Sequence, residues 1–335
     1  MTRSRKTSGS MTSRQRFKAV MTNEAVDRVP YFEEGIRDAV VKAWRRQGLS
    51  GKRELQKRFL SDAREDLDLD TKPHPDIKQW PTTHADLDTF RRHLNPNDKK
   101  RWPGGWKTRH RQGHHRNHVI MLDVHRGFFP TMGVMDWSRF YDVMSLLTDN
   151  PDLVREMMAI QGQFCAELLE NFLKKVRIDA AVFSEPIGGN EGPLMSPQMY
   201  TDIVLASYQP VMAALKHNQV QTIVFQTYAN ARILIPSILK WGFNTLWACE
   251  VYTPAMDYID LRKTFGKDLR LIGGIDLDAL RKDKAAIKEE ILNKVPRLIE
   301  QGGYIPLADG RVREDVPFQN YCYYRELLQK VTRGS

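Results

Sequence analysis

The chain has 335 residues and carries 51 Lys and Arg against 41 Asp and Glu, a formal net charge of +10 at pH 7. This length fits two ordinary domains of roughly 100–200 residues or one barrel-sized domain, and 27% charged residues exclude a disordered chain. No apolar run reaches the ~18 residues of a membrane span, and three scattered cysteines form no disulfide framework. We therefore expect a cytoplasmic protein with no membrane partner.

Much of the positive charge is concentrated in two segments. The first 20 residues contain six Lys or Arg and no acid, and residues 97–118 contain seven Lys or Arg, four His and one Asp. We predict a disordered basic tail over residues 1–10, with a transit peptide as the alternative. Trp102 and Trp106 lie among the cations of the second segment, a pattern typical of single-stranded nucleic-acid binding. A solvated loop is the preferred interpretation, and a basic lid over an anionic ligand is a third.

The predicted elements begin with a helix over 12–22, an extended segment over 29–33 and a helix over 37–48. Residues 50–118 are polar and rich in proline, and their length indicates an irregular insertion or cap. From residue 119 onward, apolar strand candidates alternate with helical segments. The strand candidates are 119–124, 179–186, 222–229, 244–251, 270–276 and 302–310, and the helices are 137–148, 150–175, 197–217, 231–241, 257–265, 277–301 and 317–332.

A strand followed by a helix, repeated along the chain, predicts parallel strands with crossover helices. With the extended segment at 29–33, the count leaves one strand to find for a (β/α)8 TIM barrel, an α/β fold with a basic N-terminal insertion. The barrel would occupy residues 11–332 as a single domain. A doubly wound open sheet is the alternative, although no glycine-rich phosphate loop follows an early strand.

In such barrels the working residues lie at the C-terminal ends of the strands. Four of the five clearest strands end in a carboxylate, and the polar residues at these ends are Glu185, Gln226 with Tyr228, Glu250, Asp276 and Asp309. A ring of acids around one opening could bind a cation or metal, hold a protonated substrate nitrogen, or perform general acid–base catalysis.

Each candidate has a structural alternative. Asp276 precedes a helix, so a role as N-cap is preferred over catalysis, and Glu250 could simply pair with an arginine. Glu185 lies in SEPIGGNEGP and Asp309 in ADGRVRED, where structural explanations are fewer, and we expect both to be functional. Cys249 is predicted to be a buried thiol rather than a nucleophile.

Two earlier segments supply further candidates. EEGIRD contains Glu34 and Arg37, and the Arg37 guanidinium can clamp a substrate carboxylate through two hydrogen bonds, although a surface salt bridge is equally compatible. DVHRGFF contains His125 and Arg126, and a histidine at this position can act as a proton shuttle; a solvated histidine is the alternative. The predicted substrate-binding residues are Arg37, Glu34, His125, Arg126, Asn190, Gln226, Asp276 and Arg311.

Several segments resemble the uroporphyrinogen decarboxylase family. They are MTSRQRFKAVMTNEAVDRVPYF, FSEPIGGNEGPLMSPQMY, ARILIPSILKWGFNTLWACEV, DLRKTFGKDLRLIGGID and GGYIPLADGRVREDVPFQNY, within about residues 11–330. The resemblance implies a β/α barrel with a cleft at its C-terminal face, and two chemistries. One branch decarboxylates the acetate side chains of uroporphyrinogen without a cofactor. The other moves methyl groups to or from a corrinoid protein, often with zinc held by a His-x-Cys pair and a distant Cys.

The sequence departs from the zinc-dependent branch. Gln226-Thr227-Tyr228 stands where the zinc pair is expected, and Asp309-Gly310 stands near the third ligand. The thiolate site is therefore absent as written, because Gln and Tyr are poor zinc ligands. Any metal would need oxygen ligands, and the candidates are Glu185, Glu250 and Asp309.

The sequence departs from the decarboxylase branch as well. EEGIRDAVVKAW retains only Arg37 of an arginine-rich N-terminal loop, and Gly310 stands at the position of a histidine near the last strand. The resemblance thus implies the fold more firmly than the reaction.

Three functional hypotheses follow. The first is a methyltransferase or demethylase for a small methylated metabolite, an aromatic ether or a methylamine for example, linked to a corrinoid on a partner protein. In it Glu185, Glu250 and Asp309 hold or protonate the leaving group, while Tyr228 and Gln226 orient it. The second is a cofactor-free decarboxylase of uroporphyrinogen or another polycarboxylate. The third is a non-catalytic binding protein on the same barrel; zinc binding and homo-oligomer formation are left open.

Overall fold

The computed structural model describes residues 11–249 and 253–333. The basic tail predicted over 1–10 and the predicted catalytic residue Glu250 lie outside the described residues. The chain divides into two compact units, of which the first comprises Met1–Arg64, Asn117–Val119 and Ile275–Ser335, and the second comprises Glu65–Arg116 and Ile120–Gly274. Among the helices described, none has the length and apolar character that crossing a membrane requires.

The strands and helices are numbered in chain order. The strands are β1 (Arg64–Asp68), β2 (Val119–His125), β3 (Ala180–Glu185), β4 (Gly188–Gly189), β5 (Gly192–Pro193), β6 (Thr222–Thr227), β7 (Thr245–Ala248), β8 (Arg270–Ile275) and β9 (Tyr304–Ala308). The α-helices are α1 (Ser13–Met21), α2 (Asp38–Arg45), α3 (Lys52–Arg58), α4 (Leu87–Arg92), α5 (Trp106–Gln112), α6 (Phe128–Thr131), α7 (Phe140–Asp149), α8 (Pro151–Leu173), α9 (Pro197–Met199), α10 (Ala206–His217), α11 (Ile235–Lys240), α12 (Tyr258–Phe265), α13 (Leu277–Arg281), α14 (Lys284–Gln301) and α15 (Phe318–Thr332).

The second unit contains most of the main sheet, in the order β1-β2-β3-β6-β7-β8. The pairs β2–β3, β3–β6, β6–β7 and β7–β8 are parallel. Their strands are near-continuous apolar runs, as expected for a parallel sheet covered by helices, and the strand predictions from residue 119 onward are confirmed. Helices α8 and α10 approach closely at Gly162, where an added Cβ would lie 1.9 Å from the Ser207 carbonyl oxygen.

The predicted first strand, residues 29–33, is extended but belongs to no strand of the described sheet. Its backbone groups form hydrogen bonds with side chains instead. The Val29 carbonyl accepts a hydrogen bond from Arg28 at 2.9 Å, and the Tyr31 N–H donates to the buried carboxylate of Asp62 at 2.8 Å. Because these groups are already bonded, they do not form a ladder with a neighbouring strand.

The strand that the sequence did not reveal is β1, inside the predicted insertion 50–118. Its sequence, REDLD, has four charged residues out of five and forms an edge of the sheet, where charge discourages pairing with another chain. Seven strands of the main sheet lie in the described part of the chain. The structure therefore has a mixed α/β fold with a largely parallel sheet, and the expected eight strands are not found among the described residues.

The basic segment 97–118 is not a solvated loop over its structured part. Arg101 is buried and donates to three backbone carbonyl oxygens at 2.5–3.0 Å. The Trp102 ring packs edge-on against Trp106 and Phe172, with centroids 5.0 and 5.6 Å apart. Arg101 and Trp102 are buried and serve internal packing, so Trp102 is not available for stacking on a nucleic-acid base.

The buried ion pair between Arg116 and Asp179 yields a stability prediction. Its atoms Nη1 and Oδ2 lie 2.5 Å apart, with side-chain exposures of 1% and 0%, and Asp179 also accepts the Ile120 N–H at 3.0 Å. Asp179→Ala leaves a buried guanidinium uncompensated, and we expect the free energy of unfolding in urea to fall by about 3–5 kcal/mol. Asp152→Ala, which breaks the exposed pair with Arg155, should cost less than about 1 kcal/mol. Equal losses for the two variants would contradict the prediction.

Candidate functional site

Side chains on the parallel strands of the second unit alternate between two faces. Phe183 of β3 contacts the rings of Tyr208, on α10, and Phe243 at centroid distances of 5.0 and 4.9 Å. This side of the strand therefore packs toward the helices. Ser184 points to the opposite side, which we call the inner face.

The inner face ends in a row of polar side chains. Ser184 is in register with Gln226, and Gln226 is in register with Trp247. The Gln226 Nε2 lies 3.7 Å from the Cys249 Sγ, and Ser184 and Gln226 are both partly exposed. Tyr228, just beyond β6, is 43% exposed. The strand ends thus bring together a hydroxyl, an amide and a thiol, and a phenol follows β6 in the chain.

Asp123 lies on the inner face, and a bulge after it in β2 turns His125 to the opposite face. Asp123 is in register with Val182, whereas His125 is in register with Phe183, and the register shifts between them. One extra residue in the strand places the two side chains on opposite faces. The sequence analysis passed over Asp123 as part of the run VIMLDV. The available signal was a carboxylate inside an otherwise apolar strand, since charged groups are rarely buried without a purpose.

His125, a predicted substrate-binding residue, lies in the core and not in a solvated position. Its side chain is 1% exposed, its ring lies 4.5 Å from the Tyr208 ring, and its Nδ1 accepts the Gly127 N–H at 3.0 Å. Burial lowers the pKa of His125 to about 3, so the imidazole is neutral and carries its hydrogen on Nε2. In this position the ring does not reach an open cavity, and the predicted proton shuttle lacks access to substrate.

Glu185, a predicted catalytic carboxylate, is completely enclosed at the end of β3. Its Oε1 accepts the Phe128 N–H at 2.9 Å, and its Oε2 accepts the hydroxyls of Tyr208 and Tyr200 at 2.6 and 3.1 Å. Burial raises the pKa of Glu185 to about 7, although the three hydrogen bonds oppose this rise. The carboxylate joins β3 to α6 and to the segment before α10, and it meets no solvent.

Two local backbone features bring these donors to Glu185. Gly127 has φ of +83°, and an added Cβ would lie 2.5 Å from the Glu185 Oε1, so only glycine permits the approach of the α6 N-terminus. Tyr200 begins a π-helical turn, Tyr200–Leu205, between α9 and α10. Such turns re-aim side chains and are frequent at functional sites.

An aromatic pocket of about 280 Å³ lies at the C-terminal ends of β2 and β3. Phe129 of α6 forms one wall, Trp137 and Phe140 form another, and Pro186 follows Glu185 directly in the chain. Because Phe129 follows the residue bonded to Glu185, the carboxylate holds this wall in place.

A larger cavity, of about 570 Å³, belongs to the first unit and lies at the N-terminal end of β9, with Val29, Ile299 and Tyr304 in its walls. In β/α folds the chemistry takes place at the C-terminal ends of the strands, whereas the N-terminal ends contribute to stability. We therefore take the inner face and the aromatic pocket as the candidate site, although the other cavity is larger.

The first unit contains five of the remaining predicted residues. Arg37 precedes α2 and Arg311 follows β9, and both are exposed. Asp276 accepts a backbone N–H of α13 at 2.8 Å and caps that helix, which is the structural alternative stated for it. Glu34 and Asp309 are partly exposed. Their roles stay predictions.

The last two predicted binding residues lie in the second unit. Arg126 forms an ion pair with Asp68, and burial raises the pKa of Asp68 even though Arg126 opposes the rise. Asn190 is exposed in the hairpin of β4 and β5.

The residues at the expected zinc position do not fit that metal. The Gln226 amide donates to the Cys249 thiol, and neither an amide nor the Tyr228 phenol is a usual zinc ligand. Within 11–249 and 253–333, no group of three or more His, Cys, Asp or Glu side chains is arranged to hold a metal ion. We derive no catalytic step through zinc.

The pKa of Glu185 predicts a pH-dependent stability. Because this pKa rises from 4.5 to about 7 on folding, the folded protein binds the proton more tightly than the unfolded chain. The wild-type protein should therefore lose on the order of 3 kcal/mol of stability between about pH 4.5 and 7. Glu185→Gln is neutral throughout. The free energy of unfolding in urea, measured from pH 5 to 8, should therefore fall in the wild type relative to the variant as the pH rises toward about 7. A difference that is constant with pH would contradict the assignment.

Comparisons with known proteins agree with this architecture. A methyltransferase from Methanosarcina mazei superposes with a TM-score of 0.63 over 96% of this chain and 99% of that chain, at 16% identity. A candidate vitamin-B12 independent methionine synthase from Listeria monocytogenes reaches only 0.44, at 11% identity over 91% and 97% of the two chains. No curated protein matches the sequence. The sequence model described as uroporphyrinogen decarboxylase (URO-D) matches residues 68–329, and the chain belongs to the uroporphyrinogen decarboxylase family.

Proposed function

We propose that this protein is a methyltransferase or demethylase that acts on a small methylated metabolite and exchanges the methyl group with a corrinoid on a partner protein. The observation that carries the proposal is the charge at the C-terminal edge of the second unit. Arg126 after β2 and Arg232 after β6 each pair with an aspartate, Asp68 and Asp260. A polycarboxylated tetrapyrrole needs several arginines free to bind its carboxylates, and these two are already engaged.

Methyl transfer breaks the bond between the methyl carbon and its heteroatom while a new bond forms on the opposite side of that carbon. The electron pair of the broken bond stays on the heteroatom, which takes up a proton if it leaves as an alkoxide. A corrinoid would supply the electron pair that forms the new bond. The main task of the protein is then to hold the donor and acceptor in line, which can account for a large part of the rate enhancement.

The inner face has groups suited to this task. The Gln226 amide can orient the heteroatom through a hydrogen bond, and the exposed Tyr228 hydroxyl can do the same. Asp123 is the acid on this face that can give a proton to an oxygen leaving group. The same proton-donating role was predicted for Glu250 and Asp309, and we retain it for them as a proposal.

Glu185 contributes through position and not through contact with substrate. Its bond to the Phe128 N–H fixes the start of α6, and α6 forms a wall of the aromatic pocket. Similarity of fold to the Methanosarcina mazei methyltransferase over 96% of this chain supports the proposal as well.

Substitution of Gln226 tests the proposed site. Gln226→Leu removes one oriented hydrogen bond, so kcat/KM for methyl transfer should fall by roughly 10- to 100-fold, with an unchanged circular dichroism spectrum. Gln163→Leu, the same change on the exposed side of α8, is the matched control. The assay follows conversion of free cob(I)alamin to methylcobalamin with a panel of methylated amines and ethers. No spectral change across the panel would count against the proposal.

A decarboxylase is the second candidate, because Arg37 and Arg311 in the first unit are exposed and form no ion pair in the described part of the chain. Incubation with uroporphyrinogen followed by mass spectrometry distinguishes the two. Loss of carbon dioxide from the wild type, and its suppression in Arg37→Ala, would favour decarboxylation. Unchanged substrate mass would exclude this form of it. Failure of both assays would favour the non-catalytic binding protein.

A further inference from the structure

The aromatic pocket combines several rings with a single charge. Phe140 is central, with ring centroids 5.6 Å from Phe129 and 5.1 Å from Trp137. Of the described residues that line the pocket, Asp136 alone is charged. Rings and one carboxylate together form an environment that distinguishes a cation from a neutral molecule.

Asp136 retains its negative charge at neutral pH. Its Oδ1 accepts hydrogen bonds from the Ser138 hydroxyl at 2.5 Å and from the Ser138 N–H at 2.8 Å. Both bonds favour the carboxylate and lower the pKa of Asp136. The adjacent Trp137 is 74% exposed, so a ligand from solvent can reach the ring and the carboxylate together.

The nearest arginine in sequence does not neutralise this carboxylate. Arg139 donates from Nε to the Met132 carbonyl at 2.8 Å, and its guanidinium lies 4.9 Å from the ring centroid of Trp80. Packing of Trp80 against Gly133, where an added Cβ would lie 2.3 Å from the indole, fixes this arrangement. The Arg139 guanidinium is thus held against Trp80 of the segment 50–118, and the Asp136 carboxylate can pair with a ligand.

We propose that the aromatic pocket binds a methylated ammonium group, the cationic head of a small metabolite. The faces of aromatic rings attract such cations, the apolar walls contact the methyl groups, and Asp136 supplies the countercharge. A volume of about 280 Å³ suits a head group with a short tail. This inference rests on the proposed function and names its substrate class.

A neutral aromatic ether is the competing ligand at the same rings. It would stack on Trp137 and Phe140 but gain nothing from Asp136, so the two ligand classes differ in their dependence on charge. A pair of ligands of one shape and different charge therefore separates them.

The test is calorimetric titration of the full chain, at 0.15 M salt, with choline and with its neutral carbon isostere 3,3-dimethylbutan-1-ol. Choline should bind at least about fivefold more tightly than the alcohol. Asp136→Asn should remove most of that preference and leave alcohol binding unchanged. Trp137→Leu, which keeps apolar volume but removes the ring, should weaken choline more than the alcohol.

Two exposed residues outside the pocket lining provide matched controls, Asp142→Asn and Tyr141→Leu. Neither should alter the preference for choline. The inference is overturned if the two ligands bind equally, if choline does not bind, or if Asp142→Asn has the effect of Asp136→Asn.

The methylcobalamin assay separates this inference from the proposed function. Methyl transfer from an aromatic ether without choline binding would overturn the inference and leave the function standing. Choline binding without methyl transfer from any panel compound would support the inference and contradict the proposed function.

Discussion

One buried carboxylate organises the C-terminal edge of the second unit. Glu185 closes β3, and none of the Lys or Arg side chains in the described ranges pairs with it; instead a backbone amide and two tyrosine hydroxyls stabilise it. Since a buried polar group is costly unless its hydrogen bonds are complete, the three donors cannot move independently. The start of α6, the π-helical turn and the strand end are therefore fixed relative to one another, and the walls of the aromatic pocket follow from them.

Much of the fold could be predicted because it depends on local patterns. The runs that became β3 and β6 are apolar over most of their length, and α8 begins at Asn150-Pro151, with the Asn150 side chain as N-cap. The first edge of the sheet could not be predicted in this way. Residues 29–33 have an apolar pattern. Their backbone groups, however, form hydrogen bonds with the side chains of Asp62 and Arg28, and the pattern does not show these partners. β1 is a strand because it pairs with β2, not because its charged sequence favours a strand.

The candidate site shows the same limit at the level of single side chains. The positions of Glu185 and Gln226 at strand ends were predictable, but the direction in which each points was not, because it depends on strand alternation counted from an unknown end. Glu185 points toward the helices and Gln226 to the inner face. A bulge turns His125 toward the helices although Asp123, two residues before it, faces inward, and a sequence periodicity of two does not reveal this.

The bulge in β2 also makes the chemistry of the inner face sensitive to strand register. Because a strand presents alternate residues to each side, Asp123 and His125 would share the inner face in a regular strand, and the extra residue between them turns the imidazole away. Loss of the bulge without loss of a residue would therefore bring the His125 imidazole to the inner face, on the same side as Asp123. A second proton-transfer group could thus arise on this face through a change of register rather than a substitution.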